Sequence, residues 1–150
     1  MDFAGEFSVL MPTRPQESTT TQPSTEGPPV EMHQFVSDPD ASREFTVIYS
    51  DLPRSIENTQ ALGSTAFFDA LQDVGLKVLG KGRLVYSKDG QFASCPMREI
   101  LFEAEEKQAT CHLRIIMAGL RMYQLIVVYS TGLDAAQDTD TFFKSFLLLH

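Results

Sequence analysis

Met122-Tyr123-Gln124-Leu125-Ile126-Val127-Val128-Tyr129-Ser130 decides how the rest of the chain is read. Successive side chains of a strand point to opposite faces. Met122, Ile126 and Val128 therefore share one face, and Tyr123, Leu125, Val127 and Tyr129 share the other. Both sets are apolar. A strand of that kind needs cover on both sides and belongs inside a sheet rather than at its rim. Helices or long loops are expected over each face.

Working outward, Gly119-Leu120 separates this strand from Thr110 to Met117. Glycine at the first turn position suits a type II′ hairpin. That turn sets Met117 opposite Met122, Leu113 opposite Ile126 and Cys111 opposite Val128. Before it, Met97 to Glu105 is a strand with Ile100 and Phe102 on one face and Glu99, Leu101 and Glu103 on the other. Glu105 to Gln108 is a polar turn. Lys77 to Ser87 is strand-like, and Asp89-Gly90 carries a type I′ signal that would pair Lys88 with Gln91 and Tyr86 with Ala93. Nearer the N-terminus, Val30 to Val36 and Glu44 to Ser50 alternate as strands around an Asp38-Pro39-Asp40 turn. Phe7 to Met11 is a short strand closed by Pro12.

Two segments change period. Pro53 to Gly75 is a helix with Ser55 as N-cap, Glu57 in the first turn and Gly75 as C-cap. Its buried stripe is Gly63, Phe67, Ala70, Leu71 and Val74. After a loop from Gly132 to Thr139, Asp138 or Asp140 caps a last helix that buries Phe142, Phe143, Phe146 and Leu147. Residues 12–29 are rich in Pro and Thr and read as a loop, or as an edge strand over Ser18 to Gln22. The fold class expected is α+β, a single soluble domain over residues 1–150 on a mostly antiparallel sheet.

The totals narrow the function classes. The 150 residues suit one domain, and 43% hydrophobic content supports a real core. Net charge is −8, from 12 basic and 20 acidic residues. The basic residues are scattered singly, which argues against nucleic acid and against anionic lipid. The acidic balance serves solubility, or else presents a face to a basic partner. No apolar run approaches the roughly 20 residues that span a bilayer. The first residues lack a basic stretch followed by an apolar one.

Candidate chemistry is sparse. The soft metal ligands are Cys95, Cys111, His33, His112 and His150. Cys111 and His112 are adjacent on a strand and point apart, and no C-x-x-C or H-x-x-x-H spacing occurs. Cys95 and Cys111 could form one disulfide, but two small buried hydrophobes is the preferred reading. Glu103, Glu105 and Glu106 could offer oxygens to calcium, yet read first as a solvated face. Cys95 beside Pro96 could be an exposed thiol approached by His33 or His112, with no motif to support catalysis. Gly80-Lys81-Gly82-Arg83 lacks the Ser or Thr and the flanking helix of a phosphate loop, so a strand bulge is preferred. No catalytic, cofactor-binding or metal-ligating residue is assigned, and no cofactor is expected.

The order of pieces resembles bacterial extracytoplasmic domains of unknown function in the PsbP-like superfamily, named for an extrinsic photosystem II subunit. The matching pieces are Phe7 to Pro12, Phe45 to Asp51, Pro96-Met97-Arg98-Glu99, Tyr123 to Val128 and Phe142 to Phe146. Gln91 to Cys95 stands as an insertion before Pro96. The resemblance implies a sheet of about six to seven strands with helices packed on both faces, an α/β/α sandwich. It also implies a non-catalytic binding or assembly module with a protein partner; one relative of the fold binds a small GTPase. The compartment implied is periplasm, thylakoid lumen or secreted. A small-molecule or calcium-binding protein is the alternative, with a pocket between the sheet and the helix Glu57 to Val74, and a thiol-dependent hydrolase is a third reading.

Overall fold

The computed structural model describes residues 2–3, 6–22, 29–52, 64–78, 82–104 and 108–149. Strands β1 (Asp2–Phe3), β2 (Phe7–Ser8), β3 (Gln16–Gln22), β4 (Val30–Asp40) and β5 (Arg43–Asp51) come first. Helix α1 (Thr65–Val78) follows, then β6 (Gly82–Phe92), β7 (Cys95–Ala104), β8 (Ala109–Ala118) and β9 (Arg121–Ser130). Helix α2 (Ala136–Ser145) and β10 (Leu147–Leu148) close the chain. The main sheet is antiparallel, in the order β3-β4-β5-β9-β8-β7-β6, and β1, β2 and β10 form a second, small sheet.

Strand β9 occupies the middle of the seven, as its two apolar faces require. Two apolar clusters divide its side chains. Tyr123, Leu125 and Val127 join Phe45, Val47, Phe142, Phe143 and Phe146. Met122 joins Phe67, Phe68, Ile100, Phe102 and Ile115. Neighbours on a strand, Met122 with Tyr123 and Ile115 with Ile116, fall in different clusters because alternate side chains leave opposite faces. Burying a side chain such as Leu125 contributes about 2 kcal/mol, a gain an edge position would forfeit in part.

The β8–β9 hairpin has the register its turn residues dictate: Met117 opposite Met122, Leu113 opposite Ile126 and Cys111 opposite Val128. Gly119 supplies a φ of 64°. The β6–β7 turn does not fall at Asp89-Gly90. Strand β6 runs through both residues, and the turn is Ala93-Ser94, with φ of 48° and 67°. Asp89 then faces Arg98 and Gly90 faces Met97. The shift gives Asp89 a buried cationic partner, which outweighs the local preference of Asp-Gly for a turn. Gln91 to Cys95 is the end of β6, this turn and the first residue of β7.

Other boundaries move for identifiable reasons. Asp38-Pro39-Asp40 lies inside β4, where the register shifts between Ser37 and Asp40; the turn is Ala41-Ser42, and Asp40 accepts a hydrogen bond from the Ser42 amide. Ser64 caps α1, its hydroxyl accepting from the Phe67 amide at 3.2 Å. Ser55, Glu57 and Gly63 lie outside the described residues. Gly75 is within α1 and not past its end, Lys77 is helical, Ala70 is exposed, and Phe68 takes the buried place beside Phe67. A bulge between Leu84 and Tyr86 interrupts β6. Helix α2 begins before either proposed aspartate cap; Ala135 is its N-cap, without a side-chain cap, and Asp138 sits in the first turn against Arg43. Leu147 leaves the buried stripe at 58% exposure, because the chain has already turned into β10. Phe7–Ser8 is the strand core of the expected Phe7 to Met11 segment. No described helix is long and apolar enough to cross a membrane.

Candidate functional site

A cleft of about 260 Å³ opens between the sheet and α2. Glu99 and Leu101 of β7 lie opposite Arg114 and His112 of β8, so all four share one face. Glu99 Oε1 accepts from Arg114 Nε at 3.1 Å and from His112 Nε2 at 3.1 Å. His112 Nε2 also lies 3.0 Å from the Tyr86 hydroxyl. Phe143 of α2 packs against both basic side chains: the His112 ring meets its edge at 4.8 Å, and the Arg114 guanidinium lies 4.5 Å from its ring centre. Burial lowers the His112 pKa, only partly offset by the Glu99 charge, so the imidazole is neutral at pH 7. Burial also raises the Tyr129 hydroxyl on the cleft's rim, keeping it protonated.

Thr139 completes this wall. It is 4% exposed, and its hydroxyl oxygen has no hydrogen-bond partner. Its amide donates to the Ala135 carbonyl at 2.9 Å in the usual helical way. Thr139 stands one helical turn before Phe142 and Phe143, on the same buried stripe. That spacing was the available signal for it in the sequence.

A larger cavity, about 490 Å³, lies at the end of the sheet where the turns at Ala93 and Gly119 meet Leu148. Arg121 and Asp51 border it as a two-pronged pair, Nε to Oδ1 at 2.7 Å and Nη2 to Oδ2 at 3.0 Å. Arg121 holds the Asp51 carboxyl below its ordinary value. Cys95 opens onto this cavity, its thiol 3.8 Å from the Ala93 carbonyl. The histidines are engaged elsewhere. His33 stacks on Tyr49 at 4.6 Å and meets Thr19 and Glu31. His112 sits in the cleft. The Cys95–histidine approach is therefore not assembled.

The two thiols are free and separate. Cys95 packs against one apolar cluster and Cys111 against the other. Burial pushes the Cys111 thiol up to about 11, which makes it an inert small hydrophobe. Glu103 is paired across strands with Arg83 at 2.5 Å; Glu105, Glu106, Gly80, Lys81 and His150 lie outside the described residues. Among the described residues no three His, Cys, Asp or Glu side chains converge as a metal site. The cleft and the larger cavity take no lining residue from α1. Arg98 of β7 is buried, with 4% of its side chain exposed. It alternates with Ile100, Phe102 and Ala104, and a cation in such a row signals a buried ion pair.

These features define an α+β protein on a seven-stranded antiparallel sheet, with its charged side chains mostly tied to one another. No protein-family model matches the chain, and no curated protein matches it. Among solved structures it is similar to the solution structure of cyanobacterial PsbP (CyanoP) from Synechocystis sp. PCC 6803. The TM-score is 0.63 at 10% sequence identity, over 99% of this chain and 90% of that one. The fold is PsbP-like.

Proposed function

We propose that this chain is a non-catalytic accessory module that binds another protein outside the cytoplasm, folded as one α/β/α sandwich over residues 1–150. The observation that carries this reading is the fold likeness over 99% of the chain. Binding and assembly are what the PsbP-like resemblance implies, and fold likeness alone makes this an argument by analogy. The state of the polar groups favours it too. Arg98, Arg114 and Arg121 are each held by carboxylates, an arrangement that stiffens a surface for recognition. The two apolar clusters, one with α2 and one with α1, support the sandwich. The net charge of −8 suits a basic face on the partner.

Cross-linking in the source cells, followed by mass spectrometry of washed membrane and extracytoplasmic fractions, tests the proposal. The expected result is one reproducible partner whose recovery falls as salt rises. Recovery of the chain from cytosol alone, with no cross-linked partner, overturns it.

A further inference from the structure

We propose that β3 is a self-pairing edge, along which two copies of this chain join antiparallel, Thr19 facing Thr19, into one continuous sheet. The inference is independent of the binding role proposed above. The two edges of the main sheet are β3 and β6. An open edge presents unpaired amides and carbonyls, and proteins commonly blunt it with lysine, proline or a bulge. Strand β6 is blunted: it carries Arg83 and Lys88, and a bulge falls between Leu84 and Tyr86. Strand β3 is not. Its residues, Gln16-Glu17-Ser18-Thr19-Thr20-Thr21-Gln22, include one charge, no lysine and no proline, and they pair with β4 in unbroken register. Residues 16–21 are all exposed. Among the described residues, no strand bonds to the outer side of β3.

The sequence of β3 names the occupant. It reads nearly the same in either direction, so an antiparallel copy centred on Thr19 meets its own complement. Glu17 then faces Thr21 of the second copy, Ser18 faces Thr20, and Thr19 faces itself. Threonine pairs of this kind favour a sheet, and no like charges are opposed. Centring the pair on Glu17 would instead set two carboxylates face to face, which disfavours that register. A strand of unrelated sequence gains nothing from this symmetry, whereas a second copy satisfies both edges at once and closes the pair. A contact one strand long falls short of the roughly 1,200 Å² of stable complexes, so the dimer is reversible, with a dissociation constant on the order of 100 µM.

Sedimentation equilibrium of the whole chain from about 10 µM to about 1 mM spans that constant, and a monomer–dimer equilibrium is expected. Two chains of net charge −8 repel, so pairing should tighten as salt rises, opposite to the salt response expected of a basic partner. Thr19→Lys and Thr19→Glu each set like charges across the two-fold axis, and each alone should weaken pairing about fivefold. Mixing the two variants should restore it, because the charges across the axis are then opposite. Thr19 is exposed, so both variants should melt close to the native chain, and Thr19→Ser should pair as the native chain does. Four results overturn the proposal: the native chain stays monomeric at about 1 mM, well above that constant; its mass grows past two chains, which a closed pair forbids; either charged variant pairs as tightly as the native chain; or the mixture associates no better than its components.

Discussion

Arg98 is 4% exposed at its side chain, in a position where strand alternation calls for an apolar residue. Its guanidinium donates to Asp89 through Nε at 2.6 Å and Nη2 at 3.1 Å, and to Asp69 through Nη1 at 2.6 Å. It also lies 5.5 Å from the Phe68 ring centre. One side chain thus fastens α1 to the β6–β7 hairpin. The two ends of the pair differ: the carboxylates reach water and the arginine does not. Arg98→Met should cost about 1 kcal/mol, because the freed aspartates can hydrate and the methionine fills the space. Asp89→Ala should cost more, about 3 kcal/mol, because it leaves a buried cation short of its main partner. Urea unfolding of both variants checks the order, and the reverse order would refute the account.

His112 gives a second prediction at this scale. Its folded pKa lies below the ordinary 6.5, so the unfolded chain takes up the proton first as pH falls. Its contribution is whole above that value and is lost as pH drops beneath it. The groups facing it are Glu99, Tyr86 and Arg114, of which Glu99 opposes the shift. Melting temperature should therefore decline more steeply below pH 6.5 in the native chain than in His112→Gln. Equal slopes would remove His112 from the acid response.

At the scale of elements, the two tight hairpins explain what could and could not be read from residues. Gly119 is at the position whose backbone demands positive φ, and no atom lies within 4 Å of where its Cβ would be. Local chemistry and observed turn agree, so the β8–β9 register was legible. Asp89-Gly90 has the same kind of signal, but Arg98 recruits Asp89 from across the pair. A contact between strands overrode a preference within four residues, and pattern reading has no access to it. The same limit hid the cleft: Glu99, Arg114 and Thr139 come from three elements and converge only on folding. Ser64 caps α1 as described, and residues 53–63, where the expected start falls, lie outside the described residues. Ala93 and Ser94 now carry positive φ without being glycine. Ala93→Asn with Ser94→Gly should raise stability by about 1 kcal/mol, while Gly119→Ala should lower it by about 1 kcal/mol through backbone strain alone. Thermal unfolding of the two variants decides both.

For the whole molecule, strand order matters more than any one contact. Strand β5 bonds to β9, although α1, β6, β7 and β8 lie between them in the chain. Pairings so distant in sequence predict slow folding for the size, on a scale of milliseconds to seconds. Stopped-flow refolding would measure it; microsecond kinetics would contradict the assignment. The small sheet adds a distinct prediction. Deleting residues 147–150 removes β10 from β2 and uncovers the surroundings of Phe7, at a cost of about 2 kcal/mol. Hydrogen exchange should quicken around Phe7 and α2 first, with the Ile100 cluster following only on global unfolding.

Ser8 pairs with Leu147 and Phe7 with Leu148, so β2 is clasped by a strand about 140 residues further along the chain. Synthesis delivers those partners at opposite times. A nascent chain that has not reached residue 147 has made Phe7 but lacks the strand that seals it, and the middle strand β9 follows β8. The packing around Phe7 is thus deferred until residues 147 and 148 have been made.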